Sequence, residues 1–209
     1  MLAWHFLSRH PTRRALLAAP AAVLVLITTV ASAAAAGGDP DAALGQLLQL
    51  MAQRRHVHAA FVEQQFIAIL DRPLESAGEL YYDAPDRLEK RVLRPKPASL
   101  ILDKGTLSIR RGAHGYALAL RDYPEIGPFI ESIRATLAGD LPALDATYKS
   151  TFTSAAGEWT LVLVPRAGKL AAVVARIRLA GSGDTIREVV VQRSDGDRSV
   201  MTISAPSGP

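Results

Sequence analysis

FVEQQFIAILDRPLESAGELYYDAPDRLEKRVLRPKPASLILDKGTLSIRR, residues 61–111, is a series of short strand-like runs cut by turn residues. Ala77–Asp83, Arg87–Leu93, Ala98–Asp103 and Thr106–Arg111 are separated by Ala84-Pro85-Asp86, Arg94-Pro95-Lys96-Pro97 and Lys104-Gly105. Proline cannot donate to a ladder and glycine tolerates positive φ, so these links end strands. Links this short join antiparallel neighbours, because a parallel pair needs a crossover of a dozen or more residues. The centre of the chain is expected to be an up-and-down sheet.

Ahead of it stands a leader. Residues 1–14 carry Arg9, Arg13 and Arg14 and no acid, Ala15–Val30 is apolar or small apart from Thr28 and Thr29, and Ala31-Ser32-Ala33 offers small residues at a cleavage site. This pattern is that of a secretory signal peptide, residues 1–33, with cleavage between about 33 and 36. The apolar run is interrupted by Pro20 and is shorter than the roughly 20 residues a spanning helix needs. Arg13-Arg14 also resembles part of a twin-arginine signal; general secretion is the default. Of 24 basic and 20 acidic residues, three arginines leave with the leader, so residues 34–209 are nearly neutral. The pI of 9.6 therefore gives no nucleic-acid footprint, which would need basic residues on one face. No cysteine is present, which excludes a disulfide framework and a lipid-modified N-terminal cysteine. About 175 residues suffice for one domain, 34–209, held by its own core. The reading is a soluble periplasmic protein.

Further along, Asp39-Pro40 opens a helix predicted from Asp41 to about Arg55, with Leu44, Leu47, Leu48 and Met51 at i, i+3, i+4 and i+7. Val57–Leu70 reads as one bent strand or two short ones. Tyr116–Leu120 returns as a strand, with Ala117 and Ala119 leaving space on one face. Ile126, Phe129, Ile130, Ile133 and Leu137 then define a second amphipathic helix closed by Gly139. A short helical turn is expected at Leu141–Asp145, followed by strands at Thr147–Thr153, Glu158–Val164, Ala171–Leu179, Thr185–Arg193 and Ser199–Ser204. About eleven antiparallel strands in one small domain must curl or split, and two or three helices are available to cover one face.

The order of leader, short helix, Phe61-Val62-Glu63-Gln64, the glycine-led strand Gly78-Glu79-Leu80-Tyr81-Tyr82, Pro85, Arg87-Leu88, Pro95, and Asp103 with Gly105 resembles the outer-membrane lipoprotein carrier (LolA-like) family. The resemblance covers nearly all of residues 40–204 through a dispersed pattern. It implies a mainly β, unclosed antiparallel barrel of the LolA/LolB kind under a helical lid. It also implies a periplasmic carrier that moves the acyl chains of a lipoprotein or other acylated lipid from an inner-membrane donor to an outer-membrane acceptor, with transient membrane contact. On that reading Phe61, Leu80, Tyr82, Leu88, Leu118 and Leu120 line the cavity, and Ile126, Phe129, Ile130, Ile133 and Leu137 form the lid stripe. Two departures mark a divergent branch. The arginine that precedes the first proline and helps hold the lid is Ala84 here, which leaves Arg87 as candidate latch, and an aromatic position in the next strand is Lys90. The alternative is a non-transporting sensor or protein-interaction module on the same fold.

Catalytic and metal signatures are weak. Gly181-Ser182-Gly183 sits in a turn and lacks the Gly-x-Ser-x-Gly elbow of serine hydrolases. His56-x-His58 has no evident third ligand, Asp195-Gly196-Asp197 lacks the later ligands of a calcium loop and reads as a hairpin turn, and Trp159 reads as a half-buried strand residue. No enzyme activity, metal or cofactor is expected.

Overall fold

Proline and glycine cut the chain where expected. The computed structural model describes residues 40–123 and 127–206; residues 1–33, expected to be a leader, and Ile126 lie outside them. Six strands follow the first helix, α1 (Pro40–Ala52): β1 (His56–Phe66), β2 (Leu74–Asp83), β3 (Arg87–Arg94), β4 (Ala98–Asp103), β5 (Thr106–Arg111) and β6 (His114–Ala119). A 3-10 turn (Leu120–Asp122), α2 (Gly127–Ala138) and α3 (Leu141–Thr147) lead to β7 (Tyr148–Ala155) and β8 (Glu158–Pro165). The short α4 (Lys169–Val173) then precedes β9 (Val174–Ser182), β10 (Thr185–Arg193) and β11 (Arg198–Ser204).

All eleven strands form one antiparallel sheet in the order β6-β5-β4-β3-β2-β1-β11-β10-β9-β8-β7. The first six and last five strands are joined through β1 and β11, with Phe61 opposite Ile203 and Glu63 opposite Met201. β6 and β7 are the two edges, so the barrel is unclosed. The chain must travel from one edge to the other between Ala119 and Tyr148, and it does so through the 3-10 turn, α2 and α3.

Alternation along each strand separates an inner from an outer face. Over β7 to β10 the inner face meets α1, α3 and α4 in a core that includes Leu44, Leu47, Leu48, Met51, Leu144, Tyr148, Leu161, Leu163 and Ile177, all buried. Leu44, Leu47, Leu48 and Met51 are the predicted stripe of α1. Over β4 and β5 a smaller core holds only Leu102, Leu107 and Leu120 as fully buried residues, with Leu88, Leu100, Ile109, Leu118 and Ile130 packed against it half-buried.

Five expectations need correction. α1 stops at Ala52, three residues short, because Arg54 turns away to bind Asp184 (2.5 Å) and the Arg55 carbonyl accepts from the Ala84 amide. β1 is a single strand ending at Phe66, where the Leu70 amide bonds back to the Ile67 carbonyl and the Ala68 amide to Asp197. Residues 169–173, whose end was expected to begin a strand, form α4. Leu118, opposite Leu107, packs in the smaller core, so alternation puts Ala117 on the outer face and it lines no space under the sheet. Trp159 is more buried than expected and donates from Nε1 to the Gly183 carbonyl at 2.8 Å.

Candidate functional site

Helix α2 decides how the inner face of β1 to β6 is covered. Its buried positions are Gly127, Ser132, Ala135 and Thr136, not its apolar stripe. Two of these are polar, but the Ser132 hydroxyl donates to the Phe129 carbonyl (2.7 Å) and the Thr136 hydroxyl to the Ser132 carbonyl (2.8 Å), so the helix satisfies them itself. A face of small side chains lets α2 approach α1 closely. Just past its end Gly139 has φ +72°, and a Cβ there would lie 2.5 Å from the Leu48 carbonyl oxygen. At 100° per residue, Ile130, Ile133 and Leu137 are centred roughly 140° away from the face of Ser132, Ala135 and Thr136. Ile130 packs on Leu102, Leu107 and Leu120, while Ile133 and Leu137, on Ile130's side of the helix, are half-buried and belong to neither core.

Opposite that stripe is the less covered half of the sheet. Register places Tyr82, Leu88, Leu102, Leu107 and Leu118 in one inner row, and Leu80, Lys90, Leu100, Ile109 and Tyr116 in the next. The first row is closed by the 3-10 turn and Ile130. The second is half-buried as far as Ile109, and Tyr116 at its end is 61% exposed. Of the residues predicted for the cavity, Phe61, Tyr82 and Leu120 are buried and Leu80, Leu88 and Leu118 half-buried, all on this half. Phe129 departs from its group and packs on the larger core; Ile126 lies outside the described residues. Arg87 sits with Asp83 (3.9 Å), Glu89 (3.2 Å) and Asp103 (3.9 Å), all on the sheet, and among the described residues no ion pair links it to α2. Arg134, on α2, is held by Glu131 (2.7 Å) and Asp140 (3.6 Å), and its charge acts on Tyr82.

One feature of this surface is not apolar. Glu63, 7% exposed, accepts from Lys90 Nζ (2.6 Å), Ser199 Oγ (2.7 Å), Ser76 Oγ (3.3 Å) and Gln65 Nε2 (3.3 Å). Burial pushes the Glu63 carboxyl upward, but the Lys90 ammonium and the hydrogen bonds outweigh it and hold the carboxyl below its ordinary range. Lys90 is rooted opposite Leu80 and reaches diagonally across β2 to β1. Gly78, which faces Phe61 in register, presents no side chain in the way, and Nζ lies 4.9 Å from the Phe61 ring centroid. Sequence reasoning missed this pair. The one available signal was a lysine at a position where the resembled family carries an aromatic residue.

The histidines considered as metal ligands lie on the outer face. His56 Nδ1 meets Asp83 (2.9 Å) and His58 stacks on Tyr81, both histidines exposed, and no group of three potential ligands occurs among the described residues. At Asp195-Gly196-Asp197, Gly196 has φ +96° and the Asp197 amide binds Asp195, as in a hairpin turn.

The family described as outer membrane lipoprotein carrier protein LolA-like matches residues 31–206. Among solved structures, a DUF1329 family protein from Desulfovibrio piger is similar over 80% of this chain and 92% of its own, at 13% identity and a TM-score of 0.47. A LolA superfamily protein, NE2245 from Nitrosomonas europaea, is similar over 83% and 96%, at 8% identity and a TM-score of 0.44. The MucA/MucB complex of Pseudomonas aeruginosa is similar over 79% and 59%, at 12% identity and a TM-score of 0.42. Likenesses this distant concern the fold outline and carry nothing about ligands. No curated protein matches.

Proposed function

This chain belongs to the LolA-like family of outer membrane lipoprotein carrier proteins, and from that premise we propose that it is a non-enzymatic periplasmic carrier that shelters acyl chains between the α2 stripe and the inner face of β2 to β6. The observation that carries the reading is the rotation of α2. An amphipathic helix normally buries its apolar stripe. Here Ser132, Ala135 and Thr136 are buried while Ile133 and Leu137 are only partly buried beside a half-covered apolar sheet. An acyl chain between them would bury both surfaces.

Burial is sufficient to hold cargo without an energy source. At about 0.8 kcal/mol per methylene, a ~12-carbon chain contributes on the order of 10 kcal/mol before ordering costs. Release then requires a competing apolar site in a membrane acceptor, as loading requires a donor. No described helix is long and apolar enough to cross a membrane, and the N-terminal pattern supports export with a mature start near Ala34–Gly37. Intact-mass measurement of the periplasmic fraction should find that start; a retained Met1 in membranes overturns export. Native mass spectrometry of the purified protein should find acyl lipid in defined stoichiometry. An empty protein that also fails to take up an added acyl probe overturns the carrier reading. It would favour the second reading, a protein-interaction module, for which the two open sheet edges at β6 and β7 provide backbone able to accept a partner's strand.

A further inference from the structure

The Lys90–Glu63 pair is a poor device for stability, since a buried ion pair replaced by well-packed apolar groups is often neutral or better. Its hydrogen bonding is also unequal. Glu63 has three donors besides the ammonium, from Ser199, Ser76 and Gln65. Lys90 has three N–H donors and, among the described residues, one acceptor, Glu63. A quarter of its side chain is exposed. The ammonium therefore keeps unused hydrogen-bond donors beside the Phe61 ring, while the Lys90 backbone stands in register with Leu100 and Ile109, part of an apolar surface. From β3 to β6 that surface spans three strand spacings, about 14 Å, which gives a chain room to lie across it.

We propose that Lys90 is a head-group contact, and that the bound molecule is an acyl amphiphile with an anionic group, a carboxylate or phosphate ester, at the end of its chain. The head accepts from Lys90 Nζ, and the chain runs over Leu100 and Ile109 beneath Ile130 and Ile133. Glu63, satisfied by its neutral donors, holds the ammonium in place and competes with the head for it. This rests on the carrier reading and sharpens it, because the glyceryl-cysteine end of a lipoprotein offers no such charge.

The test uses hexadecanoate, hexadecyl phosphate and uncharged methyl hexadecanoate in equilibrium binding to the purified protein. The wild type should bind one or both anions about tenfold or more tighter than the ester, the scale of a charge-assisted hydrogen bond; which anion is preferred distinguishes a carboxylate from a phosphate cargo. Lys90→Met should remove the preference for the anions over the ester. Glu63→Gln, which frees the ammonium, should strengthen anion binding. The double variant Glu63→Gln/Lys90→Met leaves no buried charge unpaired and should bind all three alike, which guards against a folding defect in Lys90→Met. Equal binding of anions and ester by the wild type, or unchanged or weaker anion binding by Glu63→Gln, overturns this inference alone. Failure to bind any of the three overturns the carrier reading and this inference with it.

Discussion

The half of the sheet under α1 and α3 and the half beneath the α2 stripe are built from similar residues, yet they are finished differently. In the first, leucines from β8 and β9 meet leucines from α1 and α3, and Leu144, Tyr148, Leu161, Leu163 and Ile177 are removed from water. In the second, Leu88, Leu100, Ile109 and Leu118 of two largely apolar inner rows stay half-buried, and the covered residues, Phe61, Tyr82, Leu102, Leu107 and Leu120, are fewer. The difference lies in the cover and not in the sheet. Three helices, α1, α3 and α4, lie over one half, while the other has a 3-10 turn and the side of a helix whose tight contact is made elsewhere. One half supplies the stability that the other does without.

The largest effect should come from cavity-forming substitutions placed on either side of this divide. Leu163→Ala in the closed half should cost about 3–5 kcal/mol, whereas Leu100→Ala in the open half should cost about 1 kcal/mol or less, because its surroundings are already partly wet. Urea unfolding of both variants measures the contrast. Equal losses would mean that the second half is an ordinary core.

A smaller effect is expected at the charge pair. Glu63 has a folded pKa below its unfolded one, so the stability it contributes is fully present above the ordinary carboxylate pKa of about 4.3 and is lost as pH falls through the folded value. Lys90→Met should cost about 2 kcal/mol at neutral pH, below the 3–5 kcal/mol typical of breaking a fully buried pair, since Lys90 is partly exposed. That deficit should shrink as pH falls below the ordinary carboxylate range and Glu63 takes up its proton. A deficit constant from pH 7 to pH 3 would show that Lys90 acts through contact with the Phe61 ring instead.

Much of the sheet was legible because its punctuation is chemical. Lys104-Gly105 and the prolines between β2 and β4 fix where strands end, and Ala98–Asp103, Thr106–Arg111 and Thr185–Arg193 have the bounds their alternation predicts. What was not legible depends on distance or on choices between equivalent faces. Lys90 and Glu63 are 27 residues apart and meet only through a diagonal across Gly78. Residues 169–173 offer an apolar run that suits a strand as well as a helix. The Ile126–Leu137 stripe identified a helix but not which side it buries. Ser132 and Thr136 look like solvent residues until their hydroxyls are seen bonded to their own helix. Likewise nothing in Tyr116–Leu120 says whether the leucines or the alanines face inward.

The smallest effect on stability, and the most pointed one, is expected at Ile133. This residue shares Ile130's side of α2 yet packs in neither core, so a charge placed there enters a half-wet margin and not a dry interior. Ile133→Asp should therefore lower stability by about 1 kcal/mol or less, against the several kcal/mol that an unpaired charge costs in a sealed core. Acyl binding should respond differently, because the same carboxylate would stand beside the chain and oppose an anionic head as well. Bound lipid and the thermal midpoint should be measured on one preparation, so that loss of ligand is not mistaken for loss of fold. A near-native midpoint with no bound lipid is the expected pair of results. A collapsed midpoint would put Ile133 in ordinary core packing, and wild-type lipid content would remove α2 from the binding surface. Either result would erase the distinction between the two halves as a division of function, leaving it a difference in packing alone.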